Sequence, residues 1–170
     1  PSHFDWAGKG IRTEISGDFP GENYTITIRG EGNFRLHLRI PAWCREDFHA
    51  ECSNGASVVL EGGYAVISGD FHNGDTITVH TPYHLRTAPT PDHAADGNTV
   101  ASILYGPLVM VALSEDTETK TLVLKPDLAS SFEVSHRGTM PVLKSQGLTF
   151  VPMYAAHEIG YHVYFEIAMA

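Results

Sequence analysis

The chain has 170 residues, with 11 Lys and Arg against 20 Asp and Glu, a formal charge of −9 with His neutral and a hydrophobic fraction of 42%. Enough apolar residues are present to build a core, which argues against a disordered chain. The acid excess argues against nucleic acid or an anionic membrane surface as partner, because both need a basic patch. No apolar run approaches the roughly 20 residues that span a bilayer, and no signal peptide is visible. The opening Pro1 is what a processed product or an excised fragment would show. Length predicts one domain spanning 1–170, with a possible small C-terminal subunit from about residue 122. The two cysteines, Cys44 and Cys52, are too few for a disulfide framework and are expected as free, buried thiols.

Along the chain, strand signals dominate. Tyr24, Ile26 and Ile28 alternate with Thr25, Thr27 and Arg29. Phe34, Leu36, Leu38 and Ile40 then share one face, with Arg35, His37 and Arg39 on the other. That alternation predicts a half-buried strand that is wet on its outer side. Pro41 ends it for want of an amide hydrogen, and Trp43 follows as an amphipathic anchor. Short alternating runs return at 58–60, 64–68 and 76–80, after turn signals at Ser53-Asn54-Gly55, Gly62-Gly63 and Asn73-Gly74-Asp75. Pro89 to Asp96 reads as a loop by composition.

Val100 to Leu113 is apolar on both faces, which predicts a central strand covered on two sides, bent or broken at Gly106-Pro107. One candidate cover is the second sheet on one face and a neighbouring domain on the other. Ser114 to Thr121 reads as a linker, and Asp127 to Ser131 as a short helix with Asp127 as N-cap. Leu148 to Pro152 and Tyr161 to Ile167 return to strand. Short strands with turns every dozen residues or so predict an all-β antiparallel sandwich, jelly-roll-like, with at most one short helix.

No constellation predicts catalysis by this chain alone. His80 and His84 have the spacing of a helical ligand pair, but Pro82 lies between them. His72 and His93, with Asp70, Asp75, Asp92 and Asp96, sit in loop-like sequence without tight ligand spacing, so no metal site or cofactor is expected. The carboxylate groups Glu46-Asp47, Asp92 with Asp96, and Glu115-Asp116-Glu118 lack the apolar surroundings that would raise the pKa of a general acid. Cys44 has Arg45 beside it but no evident base, which favours packing over reactivity. Eight aromatics, among them Trp6, Tyr64, Tyr154, Tyr161 and Tyr164, could stack on sugar. Most hold alternating positions where burial is the default, while Tyr164, on the face opposite Phe165, is the one expected to be exposed.

Several of these motifs in order carry a resemblance. They are Gly10-Ile11 to Asp18-Phe19-Pro20, Leu38-Arg39-Ile40-Pro41-Ala42-Trp43, Ser53-Asn54-Gly55, Tyr64-Ala65-Val66-Ile67 with Asn73-Gly74-Asp75, and Leu104-Tyr105-Gly106-Pro107-Leu108-Val109. Leu148 to Tyr154 with Tyr161 to Phe165 completes the set. Together they resemble the C-terminal β-sandwich region of glycoside hydrolase family 127, the β-L-arabinofuranosidase family once catalogued as a domain of unknown function. The resemblance implies an accessory domain that packs on an upstream (α/α)-barrel of the same polypeptide, where that family keeps its catalytic cysteine, glutamate and zinc cluster. None of that pattern is present here, and Cys44 takes no role from it. Tyr105 stands where many members of the family carry Arg or Gln. Arg39, Trp43, Tyr105 and Pro107 are the expected interdomain contacts. An alternative expectation is a module that binds arabinose-containing carbohydrate.

Overall fold

A computed structural model describes residues 2–93, 97–157 and 159–170. The chain divides into two compact units, Pro1–Pro82 and Tyr83–Ala170. Among the described residues, apart from short 3-10 turns at Ala7–Lys9, Ala42–Cys44, Leu128–Ser131 and Met153–Ala155, the regular structure is all β-strand, as the spacing of alternating runs predicts.

The first unit holds β1 (Ser2–Trp6), β2 (Ile11–Gly17), β3 (Asn23–Arg29), β4 (Gly32–Arg39), β5 (His49–Cys52), β6 (Ser57–Glu61), β7 (Tyr64–Phe71) and β8 (Thr76–His80). They form a five-stranded sheet in the order β1-β2-β3-β8-β5 and a three-stranded sheet in the order β4-β7-β6. All neighbours are antiparallel. The period-2 pattern supplies the core. Ile26, Ile28, Ile77 and Val79 of the larger sheet meet Ala65, Ile67 and Phe71 of the smaller one. Leu36 and Leu38 line the same interior, while Arg35, His37 and Arg39 face outward. Phe34 stacks on Phe71 with centroids 4.4 Å apart.

Ile40 still donates its N–H to the Gly63 carbonyl at 2.9 Å, and Pro41 then ends the ladder. The Asn54 side chain joins three segments. Its Oδ1 accepts from the Ala56 N–H at 2.9 Å, and its Nδ2 donates to the Asp70 carbonyl at 3.0 Å and to Asp75 Oδ2 at 2.8 Å.

The second unit holds β9 (Leu85–His93), β10 (Thr99–Tyr105), β11 (Leu108–Leu113), β12 (Thr121–Leu124), β13 (Glu133–Arg137), β14 (Met140–Ser145), β15 (Leu148–Pro152), β16 (Tyr161–His162) and β17 (Phe165–Met169). They share one sheet in the order β12-β17-β10-β11-β15-β14-β13, with β9 added at β10 and β16 at β11. Strands after Thr121 therefore lie in the same sheet as β10 and β11. Pairing is antiparallel except between β12 and β17. Phe150 is the centre of the inner face, with its ring 5.5 Å from those of Phe132 and Phe165.

Several expectations need correction here. Residues 89–93 are strand, not loop: among the described residues β9 pairs only with β10, and Ala101 lies opposite Pro89. An edge strand tolerates proline because it need not donate on its free side. The rest of that stretch, 94–96, lies outside the described residues. The break at Gly106-Pro107 is as expected: it is a two-residue hairpin turn, since Tyr105 pairs with Leu108. The second apolar face of β11 is covered by the unit's own chain: Val111 packs with Val142, Val151 and Ala156, and with Ala155 and Val163. The short helix is a 3-10 turn, Leu128–Ser131, and Asp127 accepts from the Ser130 hydroxyl at 2.5 Å rather than capping with a backbone N–H. The last apolar run is interrupted between β16 and β17.

Candidate functional site

The four expected contact residues fall in two pairs, one in each unit. Arg39 ends β4 on the exposed face, opposite Tyr64 of β7. Trp43 sits in the 3-10 turn that follows, half-buried against the first core, and its Nε1–H is buried without an acceptor. Tyr105 closes β10 and meets Tyr83 edge-on, with centroids 5.6 Å apart and planes at 87°. Pro107 is exposed at the hairpin tip. The turn between them is tightly specified. Gly106 has φ +54°, and a Cβ placed there would lie 2.5 Å from the Tyr83 ring. Arg86 Nη2 donates to its carbonyl at 3.3 Å.

The thiols have the environment of packing groups. Cys44 and Cys52 are both buried and free. Burial pushes the Cys44 thiol up from its ordinary value, and the Asp47 carboxylate adds in the same direction. An activated nucleophile needs the opposite shift. Cys52 Sγ donates to Asn54 Oδ1 at 3.0 Å.

The acidic groups act locally. Asp75 Oδ2 accepts from the His72 N–H at 2.8 Å as well as from Asn54. Asp116 is held below the usual carboxylate range, first by the hydrogen bond from Lys120 and then by the Glu118 N–H. A general acid needs a raised value instead. Glu115 Oε1 accepts from the Gly160 N–H at 3.2 Å. His80 Nδ1 lies 2.7 Å from Asn23 Oδ1. Among the described residues, no three His, Cys, Asp or Glu side chains come together as metal ligands. Asp96 and the side chains of Asp92 and His93 lie outside that description.

Aromatic exposure departs most from expectation. Trp6, Tyr64, Tyr154 and Tyr161 are exposed rather than buried, Tyr164 is exposed as its place opposite Phe165 suggests, and Phe4 is 64% exposed. The pairings show why Phe4 and Trp6 matter. Phe4 lies opposite Thr13, Trp6 opposite Ile11 and Ser2 opposite Ile15. Thr13 and Ile15 in turn lie opposite Ile28 and Ile26 of the core. Phe4, Trp6 and Ile15 therefore stand on the core-facing side of the five-stranded sheet, yet are 64%, 43% and 38% exposed. A groove of about 370 Å³ opens on the same side, lined by Ser2, Ile15, Phe19 and Tyr24 among others. The alternation Phe4-x-Trp6 was readable in sequence, but not that β1 is an edge strand.

Residues 1–83 match the family model described as the β-L-arabinofuranosidase GH127 middle domain. No curated protein matches the chain. Among solved structures, a GH127 β-arabinofuranosidase is 20% identical with a TM-score of 0.69, covering 94% of this chain and 33% of its own. A glycoside hydrolase gives 17% and 0.68, covering 98% and 34%. A GH127 β-L-arabinofuranosidase from Geobacillus stearothermophilus T6 gives 16% and 0.69, covering 98% and 32%. At such identities the likeness is one of fold. The chain spans about a third of the length of these proteins, has the fold of that third, and matches the GH127 middle domain over residues 1–83.

Proposed function

We propose that the chain is a non-catalytic accessory β-region of a GH127-type glycoside hydrolase, which packs on an upstream (α/α)-barrel and stabilises it. The carrying observation is the middle-domain match over residues 1–83, together with a fold shared along 94–98% of the chain with proteins about three times as long. The protonated, buried Cys44 and the ionised, locally bonded Asp116 agree with a chain that does no chemistry itself. Arg39, Trp43, Tyr105 and Pro107 are proposed contacts in this reading. The test is to express the barrel with and without these residues. The truncated barrel is expected to melt at least about 5 °C lower. Equal melting and equal arabinosidase turnover would reject the role.

A second reading, binding of arabinose-containing glycan, is favoured by one observation. Tyr154, Tyr161 and Tyr164 are 48%, 40% and 56% exposed within one short segment. Their segment is held by Ser114 N–H to the Gly160 carbonyl at 2.8 Å. Titration with arabinan oligosaccharides and a control glucan decides it: saturable amide shifts confined to 153–164 would establish binding, and none at millimolar sugar would leave the packing role alone.

A further inference from the structure

On the apolar side of the first sheet, Ile11 and Thr13 of β2 are buried, but Phe4 and Trp6 of β1 and Ile15 of β2 are exposed among the described residues. A strand directs alternate side chains to one face, so the pairing register places Phe4, Trp6 and Ile15 on the face that elsewhere forms the core. That face is sealed over β3 and β8, where Ile26, Ile28, Ile77 and Val79 are at most 2% exposed. Toward β1 it opens to water. Large apolar side chains grouped on one exposed face mark an interaction surface far more than scattered ones do.

We propose that this overhang is where the chain docks the other two thirds of a GH127-type polypeptide, a surface that rests on the accessory reading above. The solved proteins of this fold carry roughly twice as much chain again beyond the shared third. That supplies an occupant of the right size for an interdomain contact of about 600–1,500 Å². The chemistry favours a protein surface over a sugar. The charged side chains of these strands form a ladder on the opposite face: Arg12 Nε lies 3.3 Å from Glu14 Oε1 and 3.8 Å from Asp5 Oδ1, and Arg29 Nε lies 2.9 Å from Glu14 Oε2. The docking face therefore offers rings and an aliphatic side chain. The groove beside Ile15 would take one or two apolar side chains of the partner.

Hydroxyl-radical footprinting tests this on the 170-residue chain and on the full-length gene product. Trp6 and Trp43 are the two tryptophans, and because Trp43 is itself a proposed contact, Trp6 oxidation is scored as a ratio to an added dosimeter peptide. That ratio is expected to fall about fivefold in the full-length protein, as for a residue moving into an interface core. A Phe4→Ser, Trp6→Ser variant is expected to leave the isolated chain folded while lowering the melting temperature of the full-length protein. An unchanged ratio would sink this surface. If removal of the chain still destabilised the barrel, the accessory reading would survive that failure. If removal had no effect, or if the gene product were no longer than this chain, both would fall. A ratio that dropped with concentration of the isolated chain would assign the face to a second copy, and one that dropped only with arabinan oligosaccharide would assign it to sugar. Either overturns the proposal.

Discussion

At the residue scale, two positions are constrained beyond what their neighbours in sequence suggest. Gly106 combines positive φ with the Tyr83 ring directly above it. Alanine there meets both a backbone penalty and a clash with a ring that is itself packed against Tyr105. Gly106→Ala is expected to cost at least about 2 kcal/mol, read as a lower denaturation midpoint with unchanged slope. Sequence marked the Gly-Pro turn, but not the ring, because Tyr83 lies over 20 residues away.

Cys44 is the other. Its folded-state pKa is raised, chiefly by burial, so the native state holds the thiol proton more tightly than the unfolded chain. The associated stability is complete below the unfolded thiol value and is lost as pH rises through the folded one. Tyr24, also raised by burial with Cys44 adding to it, acts in the same sense. Denaturation midpoints are expected to decline through the alkaline range, and less steeply in Cys44→Ala. Native Cys44 should react with iodoacetamide far more slowly than the unfolded thiol. Fast labelling at neutral pH would contradict the packing role.

At the element scale, β4 shows how far alternation can be read. Its period-2 pattern reports one buried and one wet face, and the pairing with β7 delivers that arrangement. Ile67, opposite Leu36 in the pairing and fully buried, carries the consequence. Ile67→Ala is expected to destabilise the first unit by roughly 2–5 kcal/mol in urea unfolding followed by Trp43 emission. Alternation was a poorer guide at β9, where composition outvoted pairing: two prolines read as loop, and the edge position admits them. Exposure of Phe4, Trp6, Tyr64, Tyr154 and Tyr161 was hidden for a related reason. Burial depends on which strand lies next door, and no local window contains that.

The segment covering β11 depends on another close approach. A Cβ on Gly160 would lie 2.6 Å from the Ser114 carbonyl oxygen. Gly160→Ala should lift this cover and speed amide exchange at Val111 and Val151, with β3 and β8 unaffected.

At the scale of the whole molecule, the described residues form three buried apolar clusters in two units. One in the first unit is centred on Ile67, Phe71 and Ile77; the second unit has one centred on Met110, Leu143 and Phe150 and a smaller one around Val111, Val142 and Val151. The division near residue 82 coincides with the end of the family match at 83. Residues 1–83 expressed alone are expected to give a cooperative unfolding transition with dispersed amide shifts. A collapsed, uncooperative product would mean the first core is incomplete without the rest. All-β architecture was legible because it follows from the period of the pattern. The division into two units was not, because no glycine- or proline-rich spacer marks it.

The position of β17 has a consequence for how the second unit is assembled. The last strand lies between β10 on one side and β12 on the other, and makes the parallel pair with β12. β12 therefore has no seat in the sheet until residues 165–169 have been synthesised and inserted. Leu122 and Leu124, both buried in the finished unit, must wait exposed over the intervening forty or so residues. Loop closure of that length precedes any reward from the pairing, which makes this the slow, aggregation-prone interval of folding. Chains stalled before Phe165 should be the species that chaperones hold and proteases clear.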